Sequence, residues 1–588
     1  MRLSLRPASA SSRFINHAVP HPPSSSRLIN TMSSSPSPSP PSSRTYTDAL
    51  NLLNTLIPNL KVHALFNKPK DATTTATTTT TVNPGPNPTP APPPAPSDPN
   101  LLAIPEMSAW LLRANLTPQR LSALSYIHIA GTKGKGSVTA LTTSALIHHH
   151  HAATATAAAS PSSATAGRVG TYTSPHLVSP RERIAIDGEP VSQPLFAASF
   201  FELWDLLSAA PADAAGADLG IEAGAKPFYF RFLTLLALHI FLRQGVRTAV
   251  IECGIGGEYD ATNAIPPAAV TASVITQLGI DHVAMLGATA AQIAWHKAGV
   301  MKPGVATWTR KLDDTAEQRA RHPGVMEILR ARAADIGADL IEVPDDDVLA
   351  WSGVGPGAKL PGGDFQKRNQ ALAALAARRH LQVLESRRWD STRAKTPEVN
   401  RSLADLPETI IAGLREATLR GRHEVIEQGA VSWYLDGAHN ADSLAEVARW
   451  ISPIVVAAAE SSPDAKFVLV FNQQERDASA LLVEFLRQME GLGVDLESKL
   501  IAAIFTRNDK TNIAAKGEDL DLVVQEKCAE AFKAMCPATK VVVCSNLTEM
   551  KGAVDAIAQQ PSRTKILVTG SMYLVGNVIG LLEPEGLL

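Results

Sequence analysis

Residues 126–137 read Tyr-Ile-His-Ile-Ala-Gly-Thr-Lys-Gly-Lys-Gly-Ser, and no other stretch limits the choice of fold so sharply. An apolar run, Tyr126–Ala130, enters a turn with three glycines, and Ser137-Val-Thr-Ala-Leu then opens a helical pattern. Strand, glycine turn and helix N-terminus in that order make an anion cradle. Gly131, Gly134 and Gly136 let backbone N–H groups approach phosphate oxygens with no Cβ in the way, and the helix end adds positive potential. Thr132 and Ser137 bring hydroxyls to the same turn, and Lys135 supplies a point charge for the β/γ phosphates. The string departs from the common phosphate loop: Ile129 stands where its first glycine would fall, and Gly136 separates Lys135 from Ser137. The flanking strand and helix favour nucleotide binding over a plain tight turn.

From Tyr126 onward, short apolar segments alternate with helical patterns, which predicts an α/β fold with a mostly parallel sheet. The expected strands cover 126–130, 168–172, 248–252 and 273–277, then 432–435, 467–471, 500–505, 540–544 and 565–569. This divides the chain into a phosphate-loop domain over 45–415 and a smaller Rossmann-like α/β domain over 416–588. The charged stretch 384–406 reads as a long loop.

Three further polar groups fall where other strands end. Ser174 follows the second strand, Glu252 ends the third, and Asp281 and His282 follow the fourth. In parallel sheets ligands bind beyond the carboxyl ends of strands, so these groups project toward the crevice of the glycine turn. Singly, Ser174 reads as a helix cap, Glu252 as an ion-pair partner and His282 as a core histidine. Together beside a nucleotide, they make a divalent-cation site completed by phosphate oxygens and water.

Composition narrows the function class. With 54 basic and 56 acidic residues the net charge is −2, without the basic excess of a nucleic-acid binder. The most apolar helical stretch, Phe228–Leu242, carries Arg231 and His239, so no integral membrane association is expected. The four cysteines, Cys253, Cys528, Cys536 and Cys544, form no CxxC pair and suit a reducing compartment. Residues 1–44 are rich in serine and arginine and precede the first acidic residue, Asp48, the composition of a mitochondrial targeting segment. A second start at Met32 would drop most of those arginines, so the expected location is mitochondrial, cytoplasmic or both. Two low-complexity tracts, 71–99 and 148–167, read as surface insertions, the second opening on four histidines.

Several further motifs stand in order: Tyr172-Thr-Ser-Pro-His-Leu-Val178 with Arg181-Glu-Arg-Ile184, Tyr229-Phe-Arg-Phe-Leu-Thr234, and Glu252-Cys-Gly-Ile-Gly-Gly257 leading to Tyr259-Asp260 and Thr262-Asn263. Gly279-Ile-Asp-His282, Ile293-Ala-Trp-His-Lys-Ala-Gly299, Asp436-Gly-Ala-His439 and Val568-Thr-Gly-Ser571 complete the set. With Ala130–Ser137 they resemble the folylpolyglutamate synthase family of the Mur-ligase-like superfamily of ATP-dependent amide ligases.

The resemblance implies that Gly131, Thr132 and Gly134–Ser137 hold ATP, with Asn263, Arg422 and Asp436 also at the nucleotide. It implies that Ser174, Glu252 and His282 serve Mg2+, and that Lys297 is carbamylated and contributes a carboxylate near a second Mg2+. A monovalent cation such as K+ is a further cofactor it admits. It assigns Lys135, Lys297 and His439 to catalysis, the last at the phosphoryl group or incoming glutamate. The implied partners are ATP, L-glutamate and tetrahydrofolate or its polyglutamates, handled by a monomer with the nucleotide between its domains. Leu419-Arg420-Gly421-Arg422 stands where the family usually reads Trp-Pro-Gly-Arg. Two alternatives stay open: a dihydrofolate synthase, which joins glutamate to dihydropteroate, and a non-catalytic nucleotide- or folate-binding relative.

Overall fold

The computed structural model describes residues 44–57, 99–156, 166–212, 216, 218–360, 362–389, 398–461, 466–474, 477–510, 521–558 and 564–584. Most of the proposed targeting segment, most of the 71–99 tract and residues 157–165 of the second tract lie outside these.

The first sheet has eight strands: β1 (Ser125–Ala130), β2 (Val169–Tyr172), β3 (Ile184–Ile186), β4 (Glu189–Pro190), β5 (Thr248–Glu252), β6 (Val270–Ile275), β7 (Ala306–Arg310) and β8 (Asp339–Val343). Their order is β4-β3-β2-β5-β1-β6-β7-β8. All neighbours run parallel except the β2–β3–β4 edge, which turns back through Asp187 and Gly188, both at positive φ. Central β1 is covered on both faces. Tyr126 packs among Phe196, Phe200 and Phe232, while Ile127 and Ile129 pack among Val138, Leu141 and Trp308. Burial on both faces is why this strand reads as a continuous apolar run instead of an alternation.

The second sheet orders as β13-β12-β11-β14-β10-β9. Its strands are β9 (Glu424–Gln428), β10 (Val431–Leu435), β11 (Lys466–Phe471), β12 (Leu500–Thr506), β13 (Lys540–Cys544) and β14 (Thr564–Thr569). Only β9 is antiparallel, a hairpin partner of β10. All nine expected strands are present within a few residues; β3, β4, β7, β8 and β9 are additional. Both sheets lie within one compact unit, Arg44–Leu588.

Seven helices bear on the site: α1 (Lys135–Thr156), α2 (Tyr229–Arg243), α3 (Ala290–Lys297), α4 (Gly363–Trp389), α5 (Glu408–Glu416), α6 (Ala441–Ser461) and α7 (Met572–Leu582). Two of them correct the sequence reading. The 148–167 tract, read as a low-complexity surface insertion, opens as the end of α1, which continues to Thr156, and His149 Nδ1 meets Thr409 Oγ1 of the neighbouring α5 at 2.9 Å. The expected 384–406 loop begins later, because α4 runs to Trp389 and Arg387 Nη2 anchors it to Ala268 O at 2.8 Å. Among the described residues no helix is long and apolar enough to cross a membrane.

Candidate active site

The glycine turn leaves β1 and enters α1, whose first residue is Lys135, two residues earlier than expected. At Gly131, φ +152°, a Cβ would fall 1.8 Å from Thr276 Oγ1; at Gly134, φ +85°, it would fall 2.6 Å from Asn369 Oδ1. Both positions therefore need glycine. The turn is pinned to the end of β6: Thr132 N donates to Gln277 O at 2.9 Å, and Thr132 Oγ1 donates to Gly279 O at 3.1 Å. Two ammonium groups converge on one oxygen, with Lys135 Nζ 3.1 Å and Lys297 Nζ 2.8 Å from Gly131 O. Burial, reinforced by the Lys135 charge, pushes the Lys297 amine down to about 7.

Glu252, at the end of β5, is 3% exposed. Burial pushes its carboxyl up to about 7, against the opposing pull of Lys135, a hydrogen bond from Ser174 N at 3.2 Å, Arg422 and Arg183. The structure thus brings Ser174, Glu252, Lys135 and Arg422 together, and Lys297 joins them through Gly131. His282 stands on the neighbouring turn at φ 49°, its Nε2 3.9 Å from Asp281 Oδ2, and Asp281 acts electrostatically on Lys297. Among the described residues no three His, Cys, Asp or Glu side chains are grouped to hold a metal by themselves. One buried carboxylate beside a serine does fit Mg2+, which keeps waters and takes the rest of its shell from phosphates.

Asn263 lies on the turn that follows Asp260. Its Nδ2 donates to Glu258 O at 3.1 Å and its Oδ1 accepts from Lys302 Nζ at 2.6 Å. These contacts tie Asn263 to the backbone at Glu258 and to the Lys302 side chain.

The second sheet contributes from the end of β10. Asp436 accepts from His423 N at 2.9 Å and Ala438 N at 2.9 Å, and lies 3.8 Å from Arg422 Nη1. It thereby ties the Gly421–His423 turn to the strand. His439 Nδ1 lies 3.0 Å from Gly437 O; a carbonyl only accepts, so this nitrogen carries the hydrogen. Leu419 stands 3.6 Å from where a Cβ at Gly136 would be. The Ser174 loop docks on the second domain: at Gly576 in α7 a Cβ would fall 2.2 Å from Leu177 O. Glu182 fixes that loop by accepting from the backbone N–H groups of Leu177, Val178 and Ser179 at 2.8, 2.9 and 2.6 Å.

Four residues went unassigned in the sequence reading. Asn369 lies under Gly134 and donates to Gln366 Oε1 at 2.7 Å, both buried in the first turns of α4. Asp260 is buried and accepts from Gly254 N and Ile255 N at 2.8 and 3.0 Å, holding the turn after Glu252. Thr276 fills the space left by Gly131.

The second sheet lies within residues 420–581, which match the family described as "Dihydrofolate synthetase, C-terminal domain". Folylpolyglutamate synthase of Neurospora crassa is 34% identical over 503 residues, covering 82% of this chain and 86% of the relative. The Saccharomyces cerevisiae protein of the same name is 34% identical over 492 residues, covering 82% and 81%. Among solved structures, Mycobacterium tuberculosis folylpolyglutamate synthase complexed with ADP and AMPPCP superimposes with a TM-score of 0.56 at 25% identity, over 81% of this chain and 95% of that one. A mutant of the L. casei enzyme shares the fold, with a TM-score of 0.55 at 20% identity, over 92% of this chain and 99% of that one. By its likeness to these relatives over most of their length, the chain belongs to the folylpolyglutamate synthase family.

Proposed function

We infer that the chain is an ATP-dependent ligase that adds L-glutamate to the γ-carboxylate of a folate. The observation that carries this reading is the buried Glu252 carboxylate, which faces Lys135 from the glycine turn and Arg422 from the turn before β9. Relatives named for the activity, and a neighbour holding ADP and AMPPCP, support the nucleotide.

The backbone N–H groups of Gly134–Ser137, at the start of α1, hold phosphate oxygens. Lys135 and Arg422 offset charge on the transferring phosphoryl group, which moves from ATP to the folate carboxylate and leaves ADP and an acyl phosphate. The glutamate amine then forms the amide bond as phosphate departs. Ser174 and Glu252 would hold Mg2+, which when bound supplies Lewis-acid neutralisation of phosphate charge. Burial and the Lys135 charge lower the Lys297 amine to about 7, which supports its role as the group that would add CO2 and lose a proton to become an anionic carbamate. His439, fixed by its Nδ1 contact with Gly437 O, is the residue assigned to the phosphoryl group or the incoming glutamate.

The test is ADP release by purified protein with ATP, Mg2+, L-glutamate and tetrahydrofolate, the product being weighed by mass spectrometry. One added glutamate per ADP is expected. Joining of glutamate to dihydropteroate instead would select the second reading, which the match of residues 420–581 to a dihydrofolate synthetase domain favours. Binding of ATP with neither product would leave a non-catalytic relative.

A further inference from the structure

Lys133 is the residue of the glycine turn that the chemistry above does not use, and it is held from two sides. Its backbone belongs to the first sheet: its N–H donates to Gln277 O at 3.1 Å and its carbonyl accepts from Thr276 Oγ1 at 2.7 Å. Its side chain reaches the other domain, where Nζ pairs with the carboxylate of Asp442 in the first turn of α6. Asp442 lies three residues after His439, on a well-fixed turn. Ser443 N donates to Asn440 Oδ1 at 3.0 Å, and Gln473 Nε2 donates to His439 O at 3.0 Å. The N-terminal turn of a helix accounts for an acidic residue at 442. It does not account for a lysine of the phosphate loop reaching across to it.

We propose that Lys133 and Asp442 form an interdomain latch, two positioning residues that hold the phosphate loop and the His439 turn in register. The proposal rests on the ligase reading above. The Asp442 side chain is 85% exposed, so the pair is screened by salt and adds little to folding. Its leverage is on domain closure, where a pair of this exposure shifts the balance by about two- to five-fold.

Rates of glutamate-dependent ADP release, with ADP affinity measured in parallel, would be compared for the natural chain, Asp442→Asn and Asp442→Lys from about 50 to about 500 mM NaCl, a range that spans weak to strong screening. The natural chain should lose about two- to five-fold in kcat with salt. Asp442→Asn should start lower and stay flat. Asp442→Lys, which sets two cations face to face, should start lowest and gain rate with salt. ADP affinity should be the same in all three, and Lys133→Gln combined with Asp442→Asn should be no worse than either alone. Parallel salt slopes, or an Asp442→Asn rate equal to the natural one at low salt, would overturn the latch. Small-angle scattering of the ADP-bound proteins gives a readout that needs no turnover: Asp442→Lys should be more extended at low salt only. A natural chain that binds ADP and ligates nothing would refute the ligase reading, and equal scattering in all three would refute the latch.

Discussion

At the carboxyl end of β5, Glu252 and neighbouring Lys297 are 3% and 1% exposed, and burial drives both toward their neutral forms. At the carboxyl end of β11, Asn472 and Gln473 are 2% and 4% exposed, and their polar atoms are taken up by neighbours. Asn472 Nδ2 donates to Asn508 Oδ1 at 2.8 Å and its Oδ1 accepts from Gln525 Nε2 at 2.8 Å, while Gln473 Nε2 donates to His439 O and Gly570 O. At the same end of two mostly parallel sheets, one holds ionisable groups whose charged forms burial disfavours and the other holds satisfied amides. Charge kept buried at a cost to folding serves chemistry on charged phosphates. An amide network serves orientation, since it fixes the backbone of the His439 turn without a field of its own.

Removing charge from the first region should separate activity from stability. Lys135→Met or Glu252→Gln is expected to lower kcat/KM for glutamate-dependent ADP release by at least ~100-fold, about 3 kcal/mol of transition-state stabilisation. Without nucleotide or metal, Glu252→Gln should melt above the natural chain, because a desolvated acid has gone. The matching change in the second region should do the reverse. Gln473→Leu leaves two carbonyls without their donor and is expected to cost ~1–3 kcal/mol in urea unfolding, with a smaller loss of rate. Equal destabilisation by both substitutions would break the comparison.

pH sharpens it further. The folded Glu252 carboxyl titrates at about 7 against 4.5 for the ordinary group, so the folded state binds its proton more tightly. Its contribution to stability is complete below about 4.5 and is lost as pH rises through about 7. The advantage of Glu252→Gln should therefore open between those two values and level off above them, read by urea unfolding in chelator. The cost of Gln473→Leu should hold constant across the same range, since no amide titrates there.

What was legible in the sequence follows the same division. The glycine turn, Ser174 and Glu252 lie at the ends of both-face-buried strands, whose apolar runs announce themselves. Strands β7 and β8 lie toward the sheet edge, and Thr307, Thr309, Asp339 and Glu342 break their apolar pattern. The β3–β4 hairpin did carry a signal in Asp187-Gly188, a pair suited to a tight turn with positive φ. Gln366 and Asn369 look like the solvent face of a long helix; only packing puts Asn369 beneath Gly134. Asn263 is a motif residue whose partners the sequence does not show, Glu258 O nearby and Lys302 Nζ beyond α3.

Leu419 lies on the seam between the two regions, and substituting it should have the smallest effect. It packs with the first domain's cluster while standing above Gly136, in a segment that departs from the family's usual Trp-Pro-Gly-Arg. Because the side chain is only half-buried, Leu419→Ala should cost less than the ~2–5 kcal/mol of a full core truncation. A side chain that only fills space there should change stability and leave ADP affinity alone. One that shapes the floor of the phosphate loop should weaken ADP about two- to five-fold, a loss of ~0.4–1 kcal/mol. The contact at Gly136 favours the second outcome, and calorimetric titration of ADP beside a melting curve reads both. An unchanged affinity with a lowered melting point would place Leu419 wholly with the first domain's core, and the seam would then begin at Arg420.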